Sequence, residues 1–219
     1  MKGLPRPAAV VCDLDGTLVD TVPTRITAWL QTFEEFGLPA DRDHVASLIG
    51  SDGKWLAAQV AARAERPMDE AAAEAVDRRA GEIYGELNTA PRPLPGAVAF
   101  LAALRAAGVR WAIATSSRSA QVGASVAALG LDEPPVVVDG MAVSRAKPAP
   151  DLLLAAAAAL ETGPRGCWCV GDSVWDVRAA IAAQMIPVGV TTGSATRDEL
   201  MAEGAQAVVD RVDRLVDAL

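Results

Sequence analysis

The sequence predicts an α/β fold: a Rossmann-like, doubly wound parallel sheet with a small helical domain inserted after the first strand. Short apolar runs of strand length alternate with helical patterns through the second half of the chain. Such alternation is typical of parallel strands joined by crossover helices. Residues 22–87 show helical patterns and little strand signal, so this block interrupts the alternation.

The core strands are predicted from apolar runs without polar alternation, because a sheet covered by helices on both faces buries both sides of each strand. Residues 119–129 and 150–160 carry the helical pattern expected of the connections. We predict buried strands at residues 8–12, 109–114, 136–138, 167–170, 186–190 and 207–209.

The inserted block is predicted to contain helices at residues 22–36, 54–64 and 69–87, with Asp69 as the N-cap of the last. Residues 88–96 follow and hold three prolines, which disfavour a helix and indicate a linker. We therefore assign residues 1–19 and 92–219 to the core and residues 20–91 to the inserted block. The third helix has an apolar stripe at helical spacing: Ala72, Val76, Ala80, Ile83 and Leu87.

Composition limits the classes of partner. The chain has 219 residues, 51% of them hydrophobic, a net charge of −8 and a pI near 4.7, which argues against nucleic acid or an anionic membrane as partner. No leader-like segment or long apolar run is found, so we expect a cytoplasmic protein. Its three cysteines are expected to be buried in strands and not to form a disulfide framework.

Two carboxylates follow the first apolar run. Val10–Cys12 leads directly into Asp13 and Asp15, which are separated by one residue. Acids held at the mouth of a core repel one another unless a cation or a proton is shared, so the pair indicates a metal-assisted reaction site. The alternative is an ordinary acidic turn in which Gly16 supplies the backbone freedom.

Polar residues also follow three other predicted strands. Thr115–Ser117 comes after the second strand, Ser144–Pro148 lies beyond the third, and Gly171–Ser173, with Asp176 further on, comes after the fourth. Each segment alone is ordinary turn chemistry. Ligands of an open parallel sheet bind beyond the carboxyl ends of its strands, so the joint placement predicts one cleft.

On these motifs the chain resembles the haloacid dehalogenase-like superfamily of phosphatases. The four signatures occur in the family's order: Asp13–Thr17, Thr115, Lys147–Pro148 and Gly171–Asp176. The resemblance covers the whole chain, and it implies that the inserted block is a helical cap over the active site. It points to the branch that contains phosphoglycolate phosphatases and β-phosphoglucomutases.

The resemblance and the chemistry of phosphoryl transfer imply roles for these residues. Asp13 is expected to attack phosphorus and form an aspartyl-phosphate, and Asp15 to protonate the leaving oxygen and later deprotonate water. A carboxylate nucleophile is repelled by a phosphate dianion, so Mg²⁺ is the expected cofactor. The expected metal site consists of the Asp13 carboxylate, the Asp15 backbone carbonyl and the Asp172 carboxylate, with Asp176 supporting it from outside.

The remaining site residues are assigned to phosphate and substrate. Thr115 and Lys147 are expected to contact the phosphoryl oxygens. The residues expected to contact substrate are Gly16, Ser116, Arg25, Gly50 and Lys54. For Lys54 the alternative is a solvated surface lysine. The expected partner is a small phosphorylated metabolite, such as phosphoglycolate or a sugar phosphate, and the protein is expected to be a monomer or a weak homodimer.

Other activities of the family stay open. Dehalogenases and phosphonate-cleaving relatives usually lack the acid found here as Asp15, which favours phosphoryl transfer. Sugar phosphomutases tend to carry a histidine in place of Arg25, which favours hydrolysis over mutase activity. A catalytically silent member that binds a phosphorylated ligand or a protein is the third alternative, but such proteins usually lose a signature residue, and here each is present.

Overall fold

Six parallel strands form one sheet in a computed structural model that describes residues 4–219. The strand order is β3-β2-β1-β4-β5-β6, so the chain builds outward in both directions from β1. The topological switch therefore lies between β1 and β4. The strands are β1 (Val10–Cys12), β2 (Trp111–Ala114), β3 (Val136–Val138), β4 (Trp168–Gly171), β5 (Ile186–Val190) and β6 (Ala207–Val209).

The predicted fold class is confirmed, and each predicted strand overlaps an observed one, although β4 begins and ends one residue later than predicted. The prediction of buried strands is wrong for β3, because β3 is an edge strand that pairs only with β2 and leaves Val136 38% exposed. Strand β2 begins later than predicted, since the backbone N–H of Val109 still donates to the carbonyl of Leu104 at the end of the preceding helix.

Nine α-helices are found within residues 4–219. Four belong to the inserted block: α1 (Val22–Glu35), α2 (Arg42–Leu48), α3 (Gly53–Arg63) and α4 (Glu70–Leu87). The core contains α5 (Ala97–Ala106), α6 (Ser119–Ala128), α7 (Asp151–Ala159), α8 (Val174–Ala182) and α9 (Arg197–Ala202), followed by a 3₁₀ helix, Val212–Ala218. Asp69 caps α4 as predicted, accepting from the backbone N–H of Ala72 at 2.8 Å.

Helices cover both faces of the sheet. Val10 and Cys12 of β1 pack on one face with α5, α6 and the 3₁₀ helix, while Val11 packs on the other with α7 and α8. Alternate residues of a strand point to opposite faces, which explains why the strands are continuously apolar. Cys12, Cys167 and Cys169 are buried and unpaired, as expected.

The inserted block has an apolar core of its own, formed by α1 to α4 and joined by Trp175 of α8. Trp55 meets Trp175 edge-on, with ring centroids 5.0 Å apart. The predicted stripe of α4 is wrong at both ends, because Ala72 and Leu87 are exposed. The buried positions of α4 are Ala73, Val76, Ala80, Ile83 and Tyr84.

Two adjacent connections join the inserted block to the core. The N–H of Leu94 donates to the carbonyl of Leu18, and the N–H of Asp20 donates to the carbonyl of Arg92, both at 2.9 Å. The division of the chain at residues 20 and 91 stays a prediction. Among residues 4–219, none of the helices has the length and apolar character needed to cross a bilayer.

Candidate active site

The two aspartates of the loop after β1, Asp13 and Asp15, point in different directions. Gly16 has φ +85°, and its N–H donates to the carbonyl of Val19 at 2.8 Å, which closes a tight turn. A side chain at Gly16 would lie 2.7 Å from the Asp172 carboxylate, so glycine also lets β1 and β4 loops approach closely. As a result, Asp13 points toward the core acids and Asp15 toward the inserted block.

Three buried carboxylates meet beyond β1 and β4. Asp13, Asp172 and Asp176 each offer an oxygen, and these oxygens lie within 4.8 Å of one another. Lys147 is 1% exposed and reaches between two of them, with its Nζ 2.5 Å from Asp13 and 2.7 Å from Asp176. The structure thus brings together four of the predicted site residues.

The electrostatics of this cluster favour an additional cation. Burial raises the pKa of Asp13 well above its usual range, although Lys147 opposes the shift. Burial and the neighbouring Asp176 raise the pKa of Asp172 to about 7. Burial alone would lower the pKa of Lys147, but Asp13 and Asp176 together raise it. One ammonium group cannot balance three carboxylates, and hard oxygen donors of this kind suit Mg²⁺.

Neighbouring residues hold Asp172 in place. Thr17 Oγ1 donates to Asp172 Oδ1 at 3.0 Å, and the N–H of Ser194 donates to Oδ2 at 2.8 Å. A Cβ at Gly193 would lie 1.9 Å from the same carboxylate, so only glycine fits there. Thr17 lies within the first signature, but Gly193 and Ser194 follow β5 and carried no signal in the sequence.

Asp176 has structural partners as well as Lys147. Its Oδ2 accepts from the N–H and, at 2.5 Å, from the hydroxyl of Ser173, and Ser173 is the N-cap of α8. This capping box uses one oxygen of Asp176 for the helix and leaves the other for Lys147. Such contacts agree with the expected outer position of Asp176, which stays a prediction.

Asp15 accepts hydrogen bonds from four side chains. Thr21 Oγ1 and Tyr84 Oη donate to Oδ1 at 2.5 and 3.2 Å. Ser117 Oγ and Arg25 Nη2 donate to Oδ2 at 2.8 and 3.0 Å. Burial raises the pKa of Asp15, but Arg25 and the hydroxyl donors outweigh it and leave the pKa below its ordinary value. Asp15 and Arg25 were predicted site residues and Ser117 lay in a segment predicted to border the cleft, but no pattern in the sequence indicated Thr21 or Tyr84.

A cavity lies between the two aspartates of the β1 loop and the inserted block. Its volume is about 480 Å³, including the part open to solvent, and four of the predicted residues besides the two aspartates line it: Thr115, Ser116, Arg25 and Gly50. Ser116 Oγ donates to the carbonyl of Gly50 at 3.0 Å, and this hydrogen bond joins the loop after β2 to the loop after α2.

Lys54 lies outside this cavity. It lines a neighbouring cleft, and its Nζ is 3.8 Å from Glu70 of α4. Asp77 borders both spaces and forms an ion pair with Arg118, the residue before α6. Sequence patterns did not indicate this ion pair, because Asp77 lies in a charged segment of a helix, where aspartates are usually exposed to solvent.

Comparison with known proteins identifies the family. The sequence model of the haloacid dehalogenase-like hydrolase family matches residues 7–184 of the chain. The chain belongs to the haloacid dehalogenase-like hydrolases. It is 35% identical to a phosphoglycolate phosphatase of Rhodospirillum rubrum, with 97% of this chain and 91% of that protein covered. It is 30% identical to a β-phosphoglucomutase of Bacillus subtilis, with 84% of each chain covered.

The fold of this haloacid dehalogenase-like hydrolase also matches solved structures. A hydrolase from Pseudomonas syringae superimposes with a TM-score of 0.91 at 30% identity, covering 95% of this chain and 96% of that one. The predicted resemblance is therefore confirmed. The chain is an enzyme of the family's phosphatase and phosphomutase branch.

Proposed function

We propose that the chain is a Mg²⁺-dependent phosphatase that hydrolyses small phosphomonoesters through an aspartyl-phosphate on Asp13. The observation that carries this proposal is the different environment of two aspartates in one loop. Asp13 contacts Lys147 within the acid cluster, whereas Asp15 is surrounded by hydrogen-bond donors facing the cavity. Carboxyl groups in contrasting environments are typical of a pair that divides nucleophilic and acid–base roles.

The metal would be held by the Asp13 and Asp172 carboxylates with the Asp15 backbone carbonyl, and Asp176 would support them. When bound, Mg²⁺ supplies positive charge that reduces the repulsion between the carboxylate and a phosphate dianion. The excess of buried carboxylates over cations supports this assignment.

The residues of the chain account for both half-reactions. A bound phosphate dianion raises the pKa of Asp15, so that Asp15 takes up a proton from solvent. A carboxylate oxygen of Asp13 then forms a bond to phosphorus while the ester P–O bond breaks, and Asp15 gives this proton to the departing oxygen. Asp15 then takes a proton from water, whose oxygen attacks phosphorus, releasing phosphate and regenerating Asp13. The Thr115 hydroxyl and the Lys147 ammonium stabilise the charge on the phosphoryl oxygens.

We further propose that the inserted block, residues 20–91, is a cap that closes the cavity from water. Two contacts support this: the hydrogen bond from Ser116 to Gly50, and the backbone N–H of Asp52 donating to the carbonyl of Lys147 at 2.9 Å. Both bring the loop before α3 onto catalytic loops of the core. A closed cavity strengthens electrostatic interactions with the phosphoryl group.

The lining of the cavity supports the substrate class. Polar side chains such as Arg25 and Gln121 line it beside Trp29 and Leu56, which suits a leaving group that carries hydroxyl or carboxylate groups. Phosphoglycolate and small sugar phosphates belong to this class, and phosphoglycolate is the substrate named for the Rhodospirillum relative.

The decisive experiment compares Asp13→Asn with Asp20→Asn, a matched control at an exposed aspartate of the same segment. With an aryl phosphate and Mg²⁺, we expect Asp13→Asn to lose all measurable turnover and Asp20→Asn to keep it. Acid quenching of Asp15→Asn should trap a phosphoryl group on the peptide that contains Asp13, detected by mass spectrometry. Turnover by pure Asp13→Asn, or full activity in excess chelator, contradicts the proposal.

A phosphomutase is the second candidate, favoured by the Bacillus relative. Incubation with a hexose 1-phosphate distinguishes the two activities. A phosphatase releases inorganic phosphate, whereas a mutase produces the hexose 6-phosphate isomer. We expect phosphate release to dominate.

A further inference from the structure

A buried chain of polar side chains continues beyond Asp15 and is not used by the reaction described above. Asn88 Nδ2 donates to Ser125 Oγ at 3.1 Å, Ser125 Oγ lies 3.4 Å from Tyr84 Oη, and Tyr84 Oη donates to Asp15 Oδ1 at 3.2 Å. Tyr84 is 1% exposed, Ser125 0% and Asn88 7%. Buried polar groups are costly unless they are hydrogen-bonded, so such a chain is a specific arrangement.

The carboxylate determines the direction of every bond in this chain. Without bound substrate Asp15 is ionised and can only accept, so the Tyr84 hydroxyl donates its single hydrogen to it in this state. The Tyr84 oxygen is then free to accept from Ser125, whose own oxygen accepts from the Asn88 amide. All three donors therefore point toward Asp15, and the terminal amide cannot pass a proton onward. The chain serves orientation and not proton transfer.

Tyr84 also supports the second oxygen of Asp15. The Arg25 guanidinium lies over the Tyr84 ring, 3.5 Å from its centroid, and donates to Asp15 Oδ2. A cation over an aromatic face is attracted to it. The hydroxyl of Tyr84 thus contacts Oδ1, while its ring supports the group that contacts Oδ2.

We propose that Tyr84 is a positioning residue for Asp15, and this inference rests on the acid–base role of Asp15 in the proposed function. Tyr84 and Asn88 belong to α4 and its C-terminal end, whereas Ser125 belongs to α6 of the core. The bond from Tyr84 to Asp15 therefore forms only when α4 lies against the loop after β1, and the bonds to Ser125 form only when it also lies against α6. Placement of the acid–base carboxyl is in this way coupled to the seating of the inserted block.

The test is Tyr84→Phe, which removes one hydroxyl and keeps the ring under Arg25. Turnover is measured with p-nitrophenyl phosphate, whose leaving group needs no acid, and with glycerol phosphate, whose alkoxide does. We expect kcat for glycerol phosphate to fall by about tenfold, the lower range for a hydrogen bond to a charged group, because three other donors remain on Asp15. KM for both substrates and kcat for the aryl ester should change by less than about twofold.

Two further variants make the assay specific. Thr32→Val removes a buried hydroxyl of α1 that bonds only to the Ala28 carbonyl, and it should leave the ratio of the two kcat values unchanged. Ser125→Ala should also lower kcat for glycerol phosphate, but by a smaller factor than Tyr84→Phe. Because the two residues act through the same hydrogen-bond chain, the fold-loss of kcat in the double variant should be smaller than the product of the two single fold-losses.

The outcomes separate this inference from the function on which it rests. If Asp15→Asn lowers kcat more for glycerol phosphate than for p-nitrophenyl phosphate but Tyr84→Phe changes neither, only the role of Tyr84 is wrong. An equal loss on both esters, or a rise in KM alone, would assign Tyr84 to packing or closure. If Asp15→Asn lowers kcat by the same factor for both esters, the acid–base role of Asp15 is wrong, and so is the positioning role of Tyr84. A far-UV spectrum and melting temperature like those of the wild type show that Tyr84→Phe is folded.

Discussion

Replacing Lys147 by methionine tests whether the acid cluster depends on its ammonium group. The side chain is 1% exposed and lies 2.5 and 2.7 Å from two carboxylates, while a third carboxylate is within 4.8 Å of both. Removing one partner of a buried ion pair costs about 3–5 kcal/mol, because the other charge is left uncompensated. In a chain of this length each kcal/mol lowers Tm by roughly 2–4 °C, so we expect Tm to fall by roughly 6–20 °C.

The measurement is thermal unfolding followed by circular dichroism, first in excess chelator and then in saturating Mg²⁺. Because a divalent cation supplies the missing positive charge, Mg²⁺ should raise the Tm of Lys147→Met by more than it raises that of the wild type. Lys54→Met is the matched control, since the Lys54 ammonium is partly exposed and 3.8 Å from its partner. A Tm for Lys147→Met in chelator within about 2 °C of the wild type would refute the reasoning.

Three other substitutions test the metal site and the walls of the cavity. Gly193→Ala places a Cβ 1.9 Å from the Asp172 carboxylate, so the Mg²⁺ concentration for half-maximal activity should rise by about 10- to 100-fold, whereas Gly163→Ala, with open space around it, should change nothing. Arg118→Ala removes the ion pair at the wall between the cavity and the outer cleft, and kcat/KM for a hexose phosphate should rise by about tenfold relative to phosphoglycolate. Because the Lys54 ammonium faces the outer cleft, Lys54→Ala should leave kcat/KM across a panel of small phosphomonoesters within about threefold of the wild type.

Each of these expectations has a contrary result. Unchanged Mg²⁺ activation in Gly193→Ala would mean that Asp172 is not a metal ligand. If the ratio of kcat/KM for the hexose phosphate to that for phosphoglycolate is the same in Arg118→Ala as in the wild type, the ion pair does not limit the size of the leaving group. A uniform loss across all substrates in Lys54→Ala would place Lys54 in the catalytic machinery, and an uneven change across the panel would place it in contact with substrate.

Residues that act next to their own strand could be predicted from the sequence. Asp13, Thr115 and Asp172 directly follow β1, β2 and β4, so the alternation of strands and helices was sufficient to place them at one edge of the sheet. Lys147 lies in the loop beyond β3, so its position after a strand also predicted this edge, whereas its expected contact with the phosphoryl oxygens came from the family resemblance and the chemistry of phosphoryl transfer. The edge position of β3 could not be read from its three valines, because strand order depends on crossovers and not on composition.

The residues around Asp15 come from distant parts of the chain. Tyr84 lies next to Ile83 in the apolar stripe of α4, and by pattern alone it is a core aromatic. Its hydroxyl acquires a role only because α4 packs against α6 and brings it within 3.2 Å of a carboxylate 69 residues away in sequence. Lys54 shows the opposite case, since it was expected to contact substrate but the start of α3 turns the side chain toward the outer cleft.

The fold class and the position of Asp13, Thr115 and Asp172 at one edge of the sheet could be predicted from the sequence alone, because hydrophobic periodicity and strand-end motifs act over a few residues and need no knowledge of distant neighbours. The direction of each side chain at the candidate site became evident in the folded chain. Asp15 turns toward the inserted block and Lys54 away from the cavity because the packing of α1, α3 and α4 against the core sets those directions. Side-chain direction depends on the relative placement of whole helices, and a local pattern does not encode that placement.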